Sequence, residues 1–377
     1  MKIIRTSTIP NSINTFCKGL LKELQEIDGY EVVVVSSPGD ALEEVSVREG
    51  VKTYAVPMER RIVPFKDLIS LWGLIRVFRK EKPDMVHSIT PKAGLLSMMA
   101  AWVCRVPVRI HTFTGLVFPT STGLKQKLLI LTDRLTCACA THIVPEGEGV
   151  KQDLKSYGIT KKPLRVLGYG NIKGIDLDRF NPQDKNIELE AKNIRKEGVF
   201  TFIFIGRLVG DKGINELAEA FKRFNKEFPN TRLLLVGSKE PDLDPLKPHT
   251  LVEIEENKAI EAVGLKKDVR PWLLASDALV FPSYREGFPN VVIEAGAMGL
   301  PSIVTDINGS REIIIDGENG VIIPSKDADA LYKAMKDFVE NPAIVKKYTQ
   351  NARSLIASRF DQRYVRQCLK DFYKEII

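Results

Sequence analysis

A chain of 377 residues exceeds the size that one hydrophobic core usually serves, so two domains are expected. Its 44% apolar and 27% charged content is that of an ordinary soluble globular protein, and no run of about 20 uninterrupted apolar residues exists to cross a bilayer. A formal charge of +7 and a pI near 9.0 suit nucleic acid, anionic lipid or simple solubility.

No arginine-rich aromatic platform or helix-turn-helix pattern is readable, so no nucleic-acid partner is expected. The N-terminus, MKIIRTSTIP, lacks the apolar run of a signal peptide. Cys17, Cys104, Cys137, Cys139 and Cys368 form no CxxC pair, and the four His are scattered. Free thiols in a reducing cytoplasm and no metal site are the expectation.

In chain order, apolar strand-like runs alternate with helical stretches, the pattern of parallel sheets covered on both faces. The first half reads KIIRTS, YEVVVVSS, KTYAVPM, DMVHSIT, VRIHTFTG, HIVPEG and LRVLGYG as strands, with amphipathic segments such as Asn14 to Asp28 and Lys125 to Ala140 between them. A charged stretch from Asp176 to Gly198 carries no readable strand and marks the boundary. The second half reads TFIFIGRL, RLLLVGS, ALVFPSY, PSIVTDI and GVIIP as strands, and ends in a helical segment from Asp361 to Ile377.

Two strings at strand ends in the second half carry chemistry. After TFIFI come Gly206, Arg207 and then Lys212-Gly213, a forked and a mobile cation suited to a diphosphate. About 75 residues on, ALVFPSY leads into Glu286-Gly287-Phe288-Pro289-Asn290 and a helix carrying Glu294. Proline fits the first helical turn, glycine lets backbone approach a ligand, and a helix N-terminus attracts an anion. A carboxylate on each side of that turn accepts hydroxyl donors, the layout expected for a sugar nucleotide. Two cations or two acids alone are as readily solvated surface; the ordered strings are much rarer.

Together the strings resemble the GRL…KG and EGFP…E motifs of glycosyltransferase family 4, retaining enzymes of the GT-B type. The resemblance covers nearly the whole chain. It implies an α/β fold of two Rossmann-like domains facing across a cleft. Residues 1–180 would bind acceptor and 181–360 the nucleotide sugar, with a helix at 361–377 packing back on the first domain. It implies that Arg207 and Lys212 hold the diphosphate and stabilise the departing nucleotide, and that Glu286 contacts the donor sugar. Gly206 and Gly287 would belong to the donor site, the N–H groups near Phe288, Pro289 and Asn290 would meet the phosphate, Glu294 would grip the ribose hydroxyls, and Val263 lies in the strand whose backbone meets the base. UDP is the family-level expectation. No DxD-like ligand pair stands at a strand end, so the cations are expected to replace a metal and no cofactor is required.

In the first half, His111 ends a strand where the family has a functional histidine, although a lone histidine is more often structural. His87 and Lys92 lie in HSITPKAG, similar to the HxxxPKAG string of bacterial polysaccharide transferases, and are assigned with Asn11 to the acceptor. Three positions depart from the family pattern: Thr6 to Ser12 replaces a glycine pair, Val117 a glycine, and Lys173 an asparagine. The resemblance points to a sugar on a polyprenyl diphosphate as acceptor, in surface polysaccharide synthesis. A nucleotide-sugar epimerase and a non-catalytic sugar-nucleotide binder are the rival classes.

Arg60 to Lys66 leads into DLISLWGLIRVFRKEK, which mixes aromatic and basic residues. That segment is expected either to face an anionic membrane from the cytoplasmic side or to be a core-facing helix with a solvated basic face.

Overall fold

The computed structural model describes residues 1–60, 63–240 and 244–377. The chain divides into two compact units, Met1–Lys173 with Arg363–Ile377, and Gly174–Gln362. Each unit contains one six-stranded parallel sheet with helices on both faces.

The strands of the first unit are β1 (Lys2–Thr6), β2 (Glu31–Ser36), β3 (Lys52–Ala55), β4 (Met85–Ile89), β5 (Val108–Phe113) and β6 (His142–Pro145), in the order β3-β2-β1-β4-β5-β6. Strand alternation sends Ile3, Val32, Val34 and Met85 to one face and Ile4, Val33, Val35 and Val86 to the other. The helices are α1 (Pro10–Phe16), α2 (Leu20–Glu26), α3 (Asp40–Glu49), α4 (Pro64–Glu81), α5 (Pro91–Val103), α6 (Gly123–Cys139) and α7 (Glu148–Ser156). The first face buries against α1, α2, α3 and residues of the last helix, including Leu369, Phe372 and Tyr373. The second buries against α4, α5, α6 and α7.

The second unit begins with α8 (Lys185–Ile194), then β7 (Phe200–Ile205), α9 (Ile214–Glu227), β8 (Thr231–Val236), α10 (Pro248–Glu256), β9 (Ile260–Gly264), α11 (Arg270–Leu274) and β10 (Ala278–Phe281). It continues with α12 (Asn290–Ala297), β11 (Ser302–Thr305), α13 (Ser310–Ile313), β12 (Gly320–Ile323), α14 (Ala328–Glu340) and α15 (Pro342–Phe360). The helix α16 (Gln362–Ile376) follows. The sheet order, β12-β11-β10-β7-β8-β9, repeats that of the first unit read from the opposite edge. Aromatic side chains dominate this core: Phe204 stacks on Phe281 at 5.9 Å, and Phe224 packs edge-on against Phe202.

Several elements differ from the sequence reading. LRVLGYG is not a strand; Leu164 makes a single bridge to Ile143, and Gly168 and Gly170 turn the chain at φ +55° and +88°. The segment from Asn14 is two helices, α1 and α2, separated at Gly19 with φ +75°. The strand expected around Val263 is β9, at the edge of the second sheet. The charged boundary stretch holds α8, capped by the Asp184 carboxylate, which accepts from the Asn186 and Ile187 amides. Among the described residues no helix is long and apolar enough to cross a membrane.

Candidate active site

In doubly wound sheets, ligands bind beyond the carboxyl ends of the strands where the strand order reverses. In the second unit that point lies between β7 and β10, and both motif strings leave the sheet there. The loop after β7 runs through Gly206 and Arg207 into a short 3-10 turn, Gly210–Lys212, and closes at Gly213. Gly213 has φ +71°, and a Cβ there would lie 2.1 Å from the Pro282 carbonyl oxygen. Only glycine therefore lets this loop meet the one after β10. The Tyr284 amide ties the loops further by donating to the Asp211 carbonyl at 2.8 Å.

This closure brings the Lys212 ammonium and the Glu286 carboxylate into a direct ion pair, with both side chains mostly buried. Ser283 Oγ donates to the same Glu286 oxygen at 2.9 Å. Arg207 points elsewhere, pairing through Nη1 with Glu240 Oε2 at 2.9 Å. Gly287 and Pro289 line a second close approach: Gly309, at φ +76°, would place a Cβ 2.6 Å from the Gly287 oxygen and from Pro289 Cδ.

The Phe288 ring turns inward and packs edge-on against Phe360 at 5.5 Å, leaving its backbone on the turn. Pro289 occupies the N-cap of α12 and has no side-chain acceptor to cap the helix. Asn290 and Glu294 are four residues apart, hence on one face of α12, and both are partly exposed while Val292, Ile293 and Ala295 are buried. Val263 is half-buried near the end of the edge strand β9, beyond β8 from the cation loop.

The first unit has its switch point between β1 and β4. Lys92, in the first turn of α5, is 9% exposed and pairs with Asp67 of α4 at 2.5 Å. The pair lines a groove of about 690 Å³ whose walls include Thr8, Thr90, Leu95 and Leu128. Thr90 adopts φ +71° and ψ 142°, a conformation that costs a β-branched residue on the order of 1–3 kcal/mol. Thr8 holds it there, donating its amide to Thr90 Oγ1 at 3.0 Å and sharing a 2.8 Å hydroxyl bond. Asn11 is exposed in the first turn of α1, between Ile9 and Ser12 of the groove wall.

Neither histidine is placed as a ligand group. His87 is 2% exposed; its Nδ1 meets Arg5 and Tyr373 Oη at 2.6 Å, and Nε2 meets Thr112 Oγ1 at 2.7 Å. With both nitrogens engaged inside the unit, the expected acceptor contact of His87 gives way to a structural role. His111 is 1% exposed beneath α5, where its Nδ1 meets Ser88 Oγ at 2.9 Å. A Cβ on Gly94 would lie 2.3 Å from that ring, so the glycine lets α5 seat on it. Burial pushes the His111 imidazole down to about 3, so it is neutral at physiological pH.

Sequence reasoning missed Glu240, Ser283, Gly309, Asp67 and the Thr8–Thr90 pair. Gly309 is the exception with a local signal, a glycine in an Asn-Gly-Ser turn. Arg61 and Ile62 of the basic stretch before α4 lie outside the described residues.

Two family models match the chain: "Glycosyl transferase 4-like domain" over residues 12–170 and "Glycosyl transferases group 1" over residues 185–355. The capsular polysaccharide biosynthesis glycosyltransferase CapM of Staphylococcus aureus is 30% identical over 377 residues, covering 100% of this chain and 97% of that protein. The chain belongs to glycosyltransferase family 4. A second family member, the Escherichia coli UDP-Gal:alpha-D-GlcNAc-diphosphoundecaprenol alpha-1,3-galactosyltransferase, is 29% identical and covers 87% of this chain and 85% of its own. Among solved structures, Anabaena Alr3699/HepE in complex with UDP superposes with a TM-score of 0.82 at 15% identity, covering both chains fully, which shows the shared GT-B fold. The protein is thus a glycosyltransferase, and the epimerase and non-catalytic readings fall away.

Proposed function

We propose that this glycosyltransferase moves a sugar from a UDP-sugar to a hydroxyl of a saccharide carried on polyprenyl diphosphate, with retention at the anomeric carbon, in surface polysaccharide assembly. The observation that carries the reading is the β7/β10 switch point, where Gly213 closes two loops and pairs Lys212 with Glu286. The name of the CapM relative supports surface polysaccharide assembly, and that of the Escherichia coli relative supports the lipid-diphosphate acceptor and the UDP donor.

In this reading the diphosphate lies against the uncapped start of α12 and takes its countercharge from Lys212 and Arg207. Glu286 holds the Lys212 ammonium in place in the free protein and accepts from a sugar hydroxyl when the donor binds. Glu294 accepts from the ribose diol. As the anomeric bond to the diphosphate breaks and the bond to the acceptor oxygen forms, charge grows on the leaving UDP, where fixed cations count most. These cations make a metal unnecessary. On the acceptor side, Lys92 meets an anionic group in the groove after exchanging Asp67, and Asn11 lies at its rim. His111 acts by seating α5. The basic, aromatic α4 faces anionic lipid on the cytoplasmic side.

The test is incubation with a panel of nucleotide sugars and a synthetic lipid-linked saccharide, followed by mass spectrometry. One donor should give an acceptor one sugar heavier, and an excess of chelator should leave the rate unchanged. Loss of all turnover in chelator would remove the metal-free account, and no product from any donor would remove the acceptor class.

A further inference from the structure

We infer that α6 is a second membrane-contacting helix, so that the outer face of the α4–α5–α6 layer docks on an anionic bilayer along two apolar ridges. The inference extends the membrane part of the function proposed above and rests on it.

The three helices cover the same face of the first sheet, so their opposite sides face outward together. A helix in that position ordinarily shows polar residues to water. α6 instead exposes Leu124 (85%), Leu128 (45%), Leu131 (62%) and Leu135 (41%), while Thr136, Cys137 and Cys139 turn inward. The spacing of four, three and four residues makes one continuous stripe along the helix. On α4, Phe65, Leu68, Ile69 and Trp72 repeat the pattern, each more than half exposed. α5 between them is recessed, with Ala93, Gly94, Ala100 and Ala101 buried, and the groove that holds Lys92 opens between the flanking helices. Eight large apolar side chains gathered on one layer exceed the scatter of single exposed leucines on ordinary surfaces.

Charge selects the occupant. Arg60, Lys66, Arg76, Lys125 and Lys127 are all exposed around the ridges, and the Arg76 guanidinium lies 3.9 Å from the centre of the Trp72 ring. Of the acids near the ridges, Asp67 pairs with Lys92 and Glu59 with Lys66, while Asp133 of α6 is partly buried. Apolar ridges rimmed by cations and an aromatic ring match an anionic lipid interface, where the cations reach headgroups and the leucines reach acyl chains.

The experiment uses the full chain with vesicles of phosphatidylcholine alone or mixed with phosphatidylglycerol, read by flotation. Wild type should float with the anionic vesicles. The double variant Leu124→Glu/Leu131→Glu and the single variant Trp72→Glu should each bind at least about tenfold more weakly. Their UDP affinity and melting curves should match wild type, since these side chains are exposed and outside the donor site. If the α6 variant floats like wild type while Trp72→Glu does not, the α6 inference fails and the membrane reading stands. If wild type ignores anionic vesicles, both fail. A wild-type dimer that the α6 variant converts to monomer would make the ridge a contact between copies and overturn the inference.

Discussion

Lys212 and Glu294 both border the proposed donor turn, yet their chemistry predicts different kinetics when each is removed. In the function proposed above Lys212 meets charge that develops on the leaving group, so Lys212→Ala should lower kcat about a hundredfold with a smaller effect on donor KM. Ribose contacts barely change along the reaction, so Glu294→Ala should chiefly raise donor KM. Steady-state kinetics with both substrates varied separates the cases; a normal kcat for Lys212→Ala would refute its role. Asp133 of α6 ties stability to pH. Burial pushes its carboxyl up to about 7 from an ordinary 3.8, with the Cys137 thiol close by. Because the folded-state value is raised, the protonated acid stabilises the fold below its unfolded-state value, and that contribution is lost as pH rises through about 7. Asp133→Asn should therefore raise Tm by a few degrees at pH 8 and not at pH 4; an equal change at both would contradict the burial. At this scale the motif strings made legible the strand-end loops that bring Lys212 and Glu286 together, because each string combines a strand end, a turn former and a charge. The burial of both histidines was not legible. A residue at a strand end can point into either face, and only the register, with Ser88 beside His111, shows which.

At the scale of elements, the proposed donor site depends on two loops that touch through backbone. Gly213→Ala would place a methyl carbon against the Pro282 carbonyl at a left-handed φ, and the loops must separate. Strain of this kind alone costs on the order of 1–3 kcal/mol. Calorimetry should show a lower transition temperature, and titration weaker UDP binding; unchanged values for both would mean that the loops do not need this closure. Most strands were legible because buried parallel strands read as continuous apolar runs. LRVLGYG failed because two glycines at positive φ break the pairing its apolar residues suggested. The break at Gly19 was equally hidden, since the apolar spacing continues across it from Ile13 to Leu20, Leu21 and Leu24. The sequence showed Lys125 to Ala140 only as amphipathic, because periodicity gives a face and not its direction.

At the scale of the molecule, two sheets of the same strand order place their loops by the same rule, which is why motifs at strand ends were the informative ones. The sheets and helices were foreseeable from alternating patterns. The partners Asp67 and Glu240 were not, because they come from loops and helices far along the chain from the residues they pair with. The central claim concerns the reaction of the whole chain: a sugar leaves UDP only when a lipid-linked hydroxyl receives it, and its anomeric configuration is kept. The most direct measurement is the anomeric proton coupling, by nuclear magnetic resonance, of the sugar newly attached to a polyprenyl-diphosphate saccharide, with UDP release followed in parallel. The account predicts UDP release that depends on acceptor and a product with the donor's configuration. An inverted product, or UDP released equally without acceptor, would contradict it.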